Sequence, residues 1–109
     1  NRMMSNVPKA SVVITNMTHL AIAIEYNGDK MTAPKVLAKG AFEVAQRIVN
    51  IAKENNIPVV QNIPLARAIF KTVDIDQQIP PDLYIAVAEV LAYIYRLKGT
   101  KAKPARVQV

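Results

Sequence analysis

Cysteine is absent from this 109-residue chain, which removes disulfides, a thiol nucleophile and any cysteine-based metal site, and fits a cytosolic compartment. There is one histidine, His19, so a multi-histidine metal centre is not expected, and neither a metal nor a cofactor is assigned. No apolar run approaches the ~20 residues that cross a bilayer. The best candidate, residues 83–95, is too short and carries Glu89. No signal-peptide pattern, internal repeat or glycine-rich phosphate loop is visible.

The net charge is +6, but its placement argues against a nucleic-acid-binding face. Between positions 12 and 95, seven basic residues meet eight acidic ones, so the body of the chain is slightly acidic. The excess lies at the ends, in Arg2 and Lys9 and then in Arg96, Lys98, Lys101, Lys103 and Arg106. Basic flanks on a near-neutral body suit tails beside a membrane or an acidic partner, or tails that only keep the domain soluble. A small RNA-binding domain is the weakest reading, because it would carry its charge on the folded body with aromatics interleaved.

The length and a hydrophobic content of 51% suffice for one domain with a modest core. Residues 1–10 are polar, basic and broken by Pro8, which predicts a linker. Residues 11–16 and 20–26 read as buried strands, with Asn27-Gly28-Asp29 as the turn that follows. Residues 36–39 suggest a short edge strand. Gly40 is expected to open a helix with Ala41, Val44, Ala45, Ile48 and Ala52 on its inner face and an i,i+4 pair of Glu43 and Arg47 outside. Residues 58–61 read as a strand, and Pro64 sits in the first turn of a second helix that runs to Lys71. Residues 72–79 look irregular. Pro80-Pro81-Asp82 starts a third helix, whose stripe of Leu83, Val87, Val90, Leu91, Ile94 and Leu97 fits the helical period, and Gly99 is its natural stop. The predicted fold class is α/β, a small mixed β-sheet surrounded by helices over residues 11–98, followed by a flexible basic tail over residues 99–109.

Between the first two strands lies a polar knot, Asn16-x-Thr18-His19. Polar groups between buried strands are costly unless satisfied, so the knot needs a reason. One reason is chemical. The carboxamide nitrogen of an asparagine can attack its own backbone carbonyl carbon, closing a succinimide and releasing the next residue as a new N-terminus. Such a weak nucleophile needs a turn that holds a near-attack geometry and groups that polarise the carbonyl or move protons. A tight turn pinned by two strands supplies the first, and Thr18 and His19 lie within reach for the second. The other reason is local: asparagine makes turns readily, and His19 is then a satisfied histidine at a strand start.

Several segments, in order, carry a further signal. They are Val7-Pro8-Lys9-Ala10, Val12-Val13-Ile14-Thr15-Asn16, Thr18-His19, Met31-x-Ala33-Pro34-Lys35-Val36, Ala38-Lys39-Gly40-Ala41, Pro64-Leu65-Ala66-Arg67-Ala68, Ile79-Pro80 and Ala86-Val87-Ala88-Glu89-Val90-Leu91-Ala92. Together they resemble the cytoplasmic domain of the FlhB/YscU family of type III export-gate proteins over residues 2–98. The segments at Ala33 and Ala86 favour its flagellar branch.

The resemblance implies a membrane domain preceding residues 1–10 and a location at the cytoplasmic face of the bacterial inner membrane. It implies self-cleavage within Asn-Pro-Thr-His, with the two pieces remaining one fold. It also implies a docking platform for export substrates and a hook-length control protein, beside other export-gate components, and a switch from rod and hook substrates to filament substrates. Nucleic acid is not an implied partner. Asn16, Thr18 and His19 occupy the catalytic positions, and the bond to be cut joins Asn16 to Met17. Cleavage would be a single event, with no diffusible substrate.

Met17 departs from the family pattern, which has proline there. Proline fixes φ and lacks an N–H, so Met17 loosens the turn and restores a backbone nitrogen that can attack the Asn16 side chain. That route deamidates or isomerises Asn16 without breaking the chain. Two outcomes are open: a cleaving turn, or an intact interaction module. Ser11, where aspartate is common, is a second departure and is given no function. Within Pro64-Leu65-Ala66-Arg67-Ala68, the side chains of Arg67 and, one turn later, Lys71 form a candidate charged contact for export substrates, with Pro64 and Ala66 as an apolar dent beside it. The alternative is a solvated helix face.

Overall fold

The computed structural model describes residues 2–17 and 19–98. There are four strands, β1 (Val12–Asn16), β2 (Leu20–Glu25), β3 (Lys35–Ala41) and β4 (Val59–Gln61), and four α-helices, α1 (Arg2–Asn6) before the strands, α2 (Glu43–Glu54) between β3 and β4, and α3 (Ile63–Thr72) and α4 (Pro81–Lys98) after β4. The sheet order is β3-β2-β1-β4, with β1 antiparallel to β2 and parallel to β4. This is the small mixed, helix-covered sheet expected from the sequence.

The central strands are apolar without interruption because both of their faces are buried. Val12, Ile14, Ile22 and Ile24 point to one side, where Leu65, Ala66 and Ile69 of α3 and Val87, Val90, Leu91 and Ile94 of α4 cover them. Val13, Ala21 and Ala23 point to the other side, against Ala45, Ile48 and Ala52 of α2. The helices thus sit in two layers, one on each face.

The first ten residues are not the linker that their polarity suggests. Residues Arg2–Asn6 are helical, a 3-10 turn follows over Val7–Lys9, and Met4 and Val7 are buried with the α2 layer. Pro8 falls in the first turn of that short helix, where a missing N–H costs nothing.

Gly40 also differs from expectation: it lies in β3, opposite Ala21, and the helix begins only at Glu43. Its function is close approach, since a Cβ there would lie 2.7 Å from the Cβ of Val44 in α2. No ion pair joins Glu43 and Arg47 among the described residues, where the Lys39–Asp74 pair is found instead.

Residues 72–79, expected to be irregular, cover the outer edge of β3. Val36 N–H donates to the Gln77 carbonyl at 3.0 Å, Asp76 N–H to that of Val36 at 2.7 Å and Ile79 N–H to that of Pro34 at 2.8 Å. Covering the edge protects unpaired strand groups from adventitious pairing. Ser11 acts as a staple, its hydroxyl accepting from Tyr26 N–H at 3.0 Å and donating to the Tyr26 carbonyl at 3.2 Å. Lys39 reaches across to α3, where Nζ donates to the carbonyls of Phe70 and Val73, each at 2.9 Å. Asn62 caps the other end of α3 by accepting from Leu65 N–H at 3.2 Å.

Candidate functional site

The polar knot forms the tight connection between β1 and β2. Asn16 pairs with Leu20 across the ladder, and the His19 N–H donates to the Asn16 carbonyl oxygen at 2.8 Å. That bond closes a four-residue turn with Met17 at its first central position. Met17 has φ 50, a left-handed value that is uncommon for a residue with a side chain. It is 57% exposed. Asn16 is half-buried and His19 exposed, while Thr15 just before them is buried. Thr18, the third candidate catalytic residue, lies outside the described residues.

This geometry has two chemical consequences. The carbonyl that asparagine cyclisation would attack is already polarised by a hydrogen-bond donor, which stabilises negative charge developing on its oxygen. Proline could not occupy position 17 in this turn, because its ring holds φ near about −65°. The methionine turn therefore has a shape from which proline is excluded.

His19 is held from a second side. Its carbonyl accepts from Phe42 N–H at 2.9 Å, and its ring meets the Phe42 ring edge-on, with centroids 5.6 Å apart and planes at 80°. Phe42 joins β3 to α2 with φ 54 and ψ −113, a backbone shape that normally calls for glycine. Sequence reasoning misses Phe42 entirely, since nothing local marks it. Its signal is spatial: β3 must end opposite the start of β2, and Leu20 pairs with Ala41.

The four residues proposed as a docking contact do not form one surface. Pro64, Arg67 and Lys71 are exposed on α3. Ala66 is fully buried in the core against the sheet, so it cannot line an apolar dent. Its position on the inward stripe of α3, one residue after buried Leu65, explains the correction. A groove of roughly 610 Å³ does exist between β4 and the end of α4, lined by Pro58, Val59, Val60, Gln61, Tyr93, Ile94 and Leu97. It includes none of the four. Among the described residues there is no cluster of His, Cys, Asp or Glu able to hold a metal, and no helix is long and apolar enough to cross a membrane.

Comparison with known proteins places this architecture. The cytoplasmic domain of FlhB from Shewanella putrefaciens superposes with a TM-score of 0.86 at 44% identity, over 99% of this chain and 83% of that one. An asparagine-to-alanine variant of the EscU C-terminal domain gives 0.81 at 30% identity, over 85% of this chain and 93% of that one. The flagellar biosynthetic protein FlhB of Escherichia coli K12 is 55% identical over 97 residues, which is 89% of this chain and 25% of that protein. Its counterpart in Bacillus subtilis 168 is 50% identical over 97 residues, 89% of this chain and 27% of that protein. The chain thus spans about a quarter of the length of these curated relatives. A family model described as the FlhB HrpN YscU SpaS family matches residues 1–94, and the chain belongs to that family.

Proposed function

We propose that this chain is the cytoplasmic, substrate-docking domain of a flagellar type III export-gate component, and that it carries a self-cleaving turn at Asn16. The flagellar assignment is supported by relatives named flagellar biosynthetic protein FlhB at 55% and 50% identity. In this reading residues 1–10 follow a membrane domain and the domain sits at the cytoplasmic face of the inner membrane; the expected basic tail over residues 99–109 lies outside the described residues. Its partners are export substrates of the rod, hook and filament classes, a hook-length control protein and other gate components. Cleavage accompanies the switch between substrate classes.

The observation that carries the chemistry is the hydrogen bond from His19 N–H to the Asn16 carbonyl. Asn16 Nδ2 attacks the Asn16 carbonyl carbon, whose oxygen gains charge against that donor. The carbon–nitrogen bond to Met17 then breaks. The proton lost by Nδ2 is taken up by the Met17 nitrogen, with the His19 imidazole as the shuttle. The products are a C-terminal succinimide on Asn16 and a free amine on Met17. Both pieces stay together because β1 is held in the sheet by β2 on one side and β4 on the other.

A second reading is favoured by Met17. Its φ of 50 differs from the value proline would fix, and its N–H allows ring closure through the side-chain carbonyl instead. In that case the domain is an intact docking module of the same export gate.

The deciding experiment is the intact mass of freshly purified protein under denaturing conditions, followed over days. Fragments of 16 and 93 residues establish the cleaving turn. One uncut mass establishes the intact module, and a gain of about one mass unit at Asn16 reveals deamidation.

A further inference from the structure

We infer that Phe42 is the positioning residue for the His19 imidazole; the inference rests on the self-cleavage reading above. Three observations carry it. Phe42 adopts φ 54 and ψ −113, which costs a residue with a side chain free energy that glycine would not incur. The residue is 66% exposed, so burial offsets little of that cost. What the ring touches is His19, edge-on at 5.6 Å, while the Phe42 N–H donates to the His19 carbonyl at 2.9 Å.

Phe42 therefore grips one residue twice, by backbone and by ring. The grip is anchored in α2, since the Phe42 carbonyl accepts from Gln46 N–H at 2.9 Å in the first turn. An exposed imidazole otherwise samples its rotamers freely, and a proton shuttle works only in the rotamers that reach the leaving nitrogen. The aromatic ring narrows that choice, so the strain in the backbone is retained for the contact it delivers.

Rate and stability should move in opposite directions. Phe42→Gly removes strain and ring together. It is expected to raise the thermal midpoint while slowing scission between Asn16 and Met17 about two- to tenfold, the factor to which one edge-to-face aromatic pair converts. Phe42→Leu keeps the strain and loses the ring, and slows scission alike. Phe42→Tyr keeps the ring and restores the parent rate. In an Asn16→Ala background, where no scission is possible, the His19 ring protons should carry an aromatic ring-current shift that persists in Phe42→Tyr and vanishes in Phe42→Gly. Equal scission rates in the parent, Phe42→Gly and Phe42→Leu overturn this inference alone. A parent chain that never breaks overturns the cleavage reading, and the inference falls with it.

Discussion

The amide of His19 donates to the carbonyl oxygen of Asn16 at 2.8 Å, so the residue that closes the turn also polarises the carbonyl that cyclisation needs. In the proposed cleavage the same residue supplies its imidazole as proton shuttle, so backbone and side chain of His19 would serve separate steps that separate substitutions should reveal.

Asn16→Ala should leave the fold intact and remove every break before Met17. Asn16 is half-buried at the end of β1, and its ladder pairing with Leu20 uses backbone only, so the stability change should stay within about 1 kcal/mol. His19→Ala keeps the N–H that polarises Asn16 and loses only the shuttle. Scission should slow about 10²-fold or more with the turn unchanged. Intact mass against time reads both; a break that persists in Asn16→Ala would mark ordinary proteolysis.

Met17→Pro tests the turn itself. Proline near φ of about −65° cannot follow the present φ of 50, so the turn must change hand. The register of Asn16 with Leu20 leaves a three-residue loop, whose common type I turn takes proline at that position, so the denaturation midpoint should stay close to the parent's. The substitution also removes the Met17 N–H, so the slow gain of about one mass unit from deamidation should disappear while scission quickens. An unaltered deamidation rate would show that the Met17 nitrogen is not its nucleophile.

How much of this is legible without coordinates follows from where the information lies. The hairpin is legible because Val12 to Ile14 and Leu20 to Ile24 are apolar at every position, as strands buried on both faces are, and because the polar residues Asn16, Thr18 and His19 mark the turn between them. The proposed cleavage positions are legible only through the family pattern, since the bare spacing of Asn16, Thr18 and His19 also describes an ordinary turn. The helical start of the chain is hidden by Pro8 and its basic residues, although Met4 and Val7, three apart, are the apolar positions that become buried. Ala66 is misread because the motif around it draws attention to Arg67, while its burial follows from the packing of α3 on the sheet. Phe42 is illegible because its conformation is imposed by β3 and α2 meeting at that point and not by any preference of phenylalanine.

The packing of α4 over the sheet should respond to alkaline pH. Burial, and after it the neighbouring Tyr26 phenol, raises the pKa of Tyr95 above its ordinary value. The folded state therefore holds this proton more tightly than the unfolded chain. Stability from this group is fully present below the ordinary tyrosine range, at about 10, and is lost as pH rises through the folded value. Ultraviolet titration of phenolate should lose a late-titrating component in Tyr95→Phe, and the same variant should flatten the alkaline limb of stability.

Lys39 makes the sharpest structural prediction, because it has three kinds of partner. Nζ donates to the carbonyls of Phe70 and Val73 at 2.9 Å, lies 5.3 Å from the Phe70 ring centroid, and stands 3.9 Å from an Asp74 side chain that is 82% exposed. Helix α3 ends at Thr72, so the Phe70 carbonyl is one of those its own helix leaves without a partner. Lys39→Met keeps the aliphatic stem and leaves these carbonyls unsatisfied, which should cost about 1–3 kcal/mol. Asp74→Ala removes only a solvent-screened pair and should cost less than about 0.5 kcal/mol. Urea denaturation of the two variants decides which partner matters: equal losses would make Lys39 a salt-bridge residue, whereas a large loss for Lys39→Met alone identifies it as the cap that ties β3 to the end of α3.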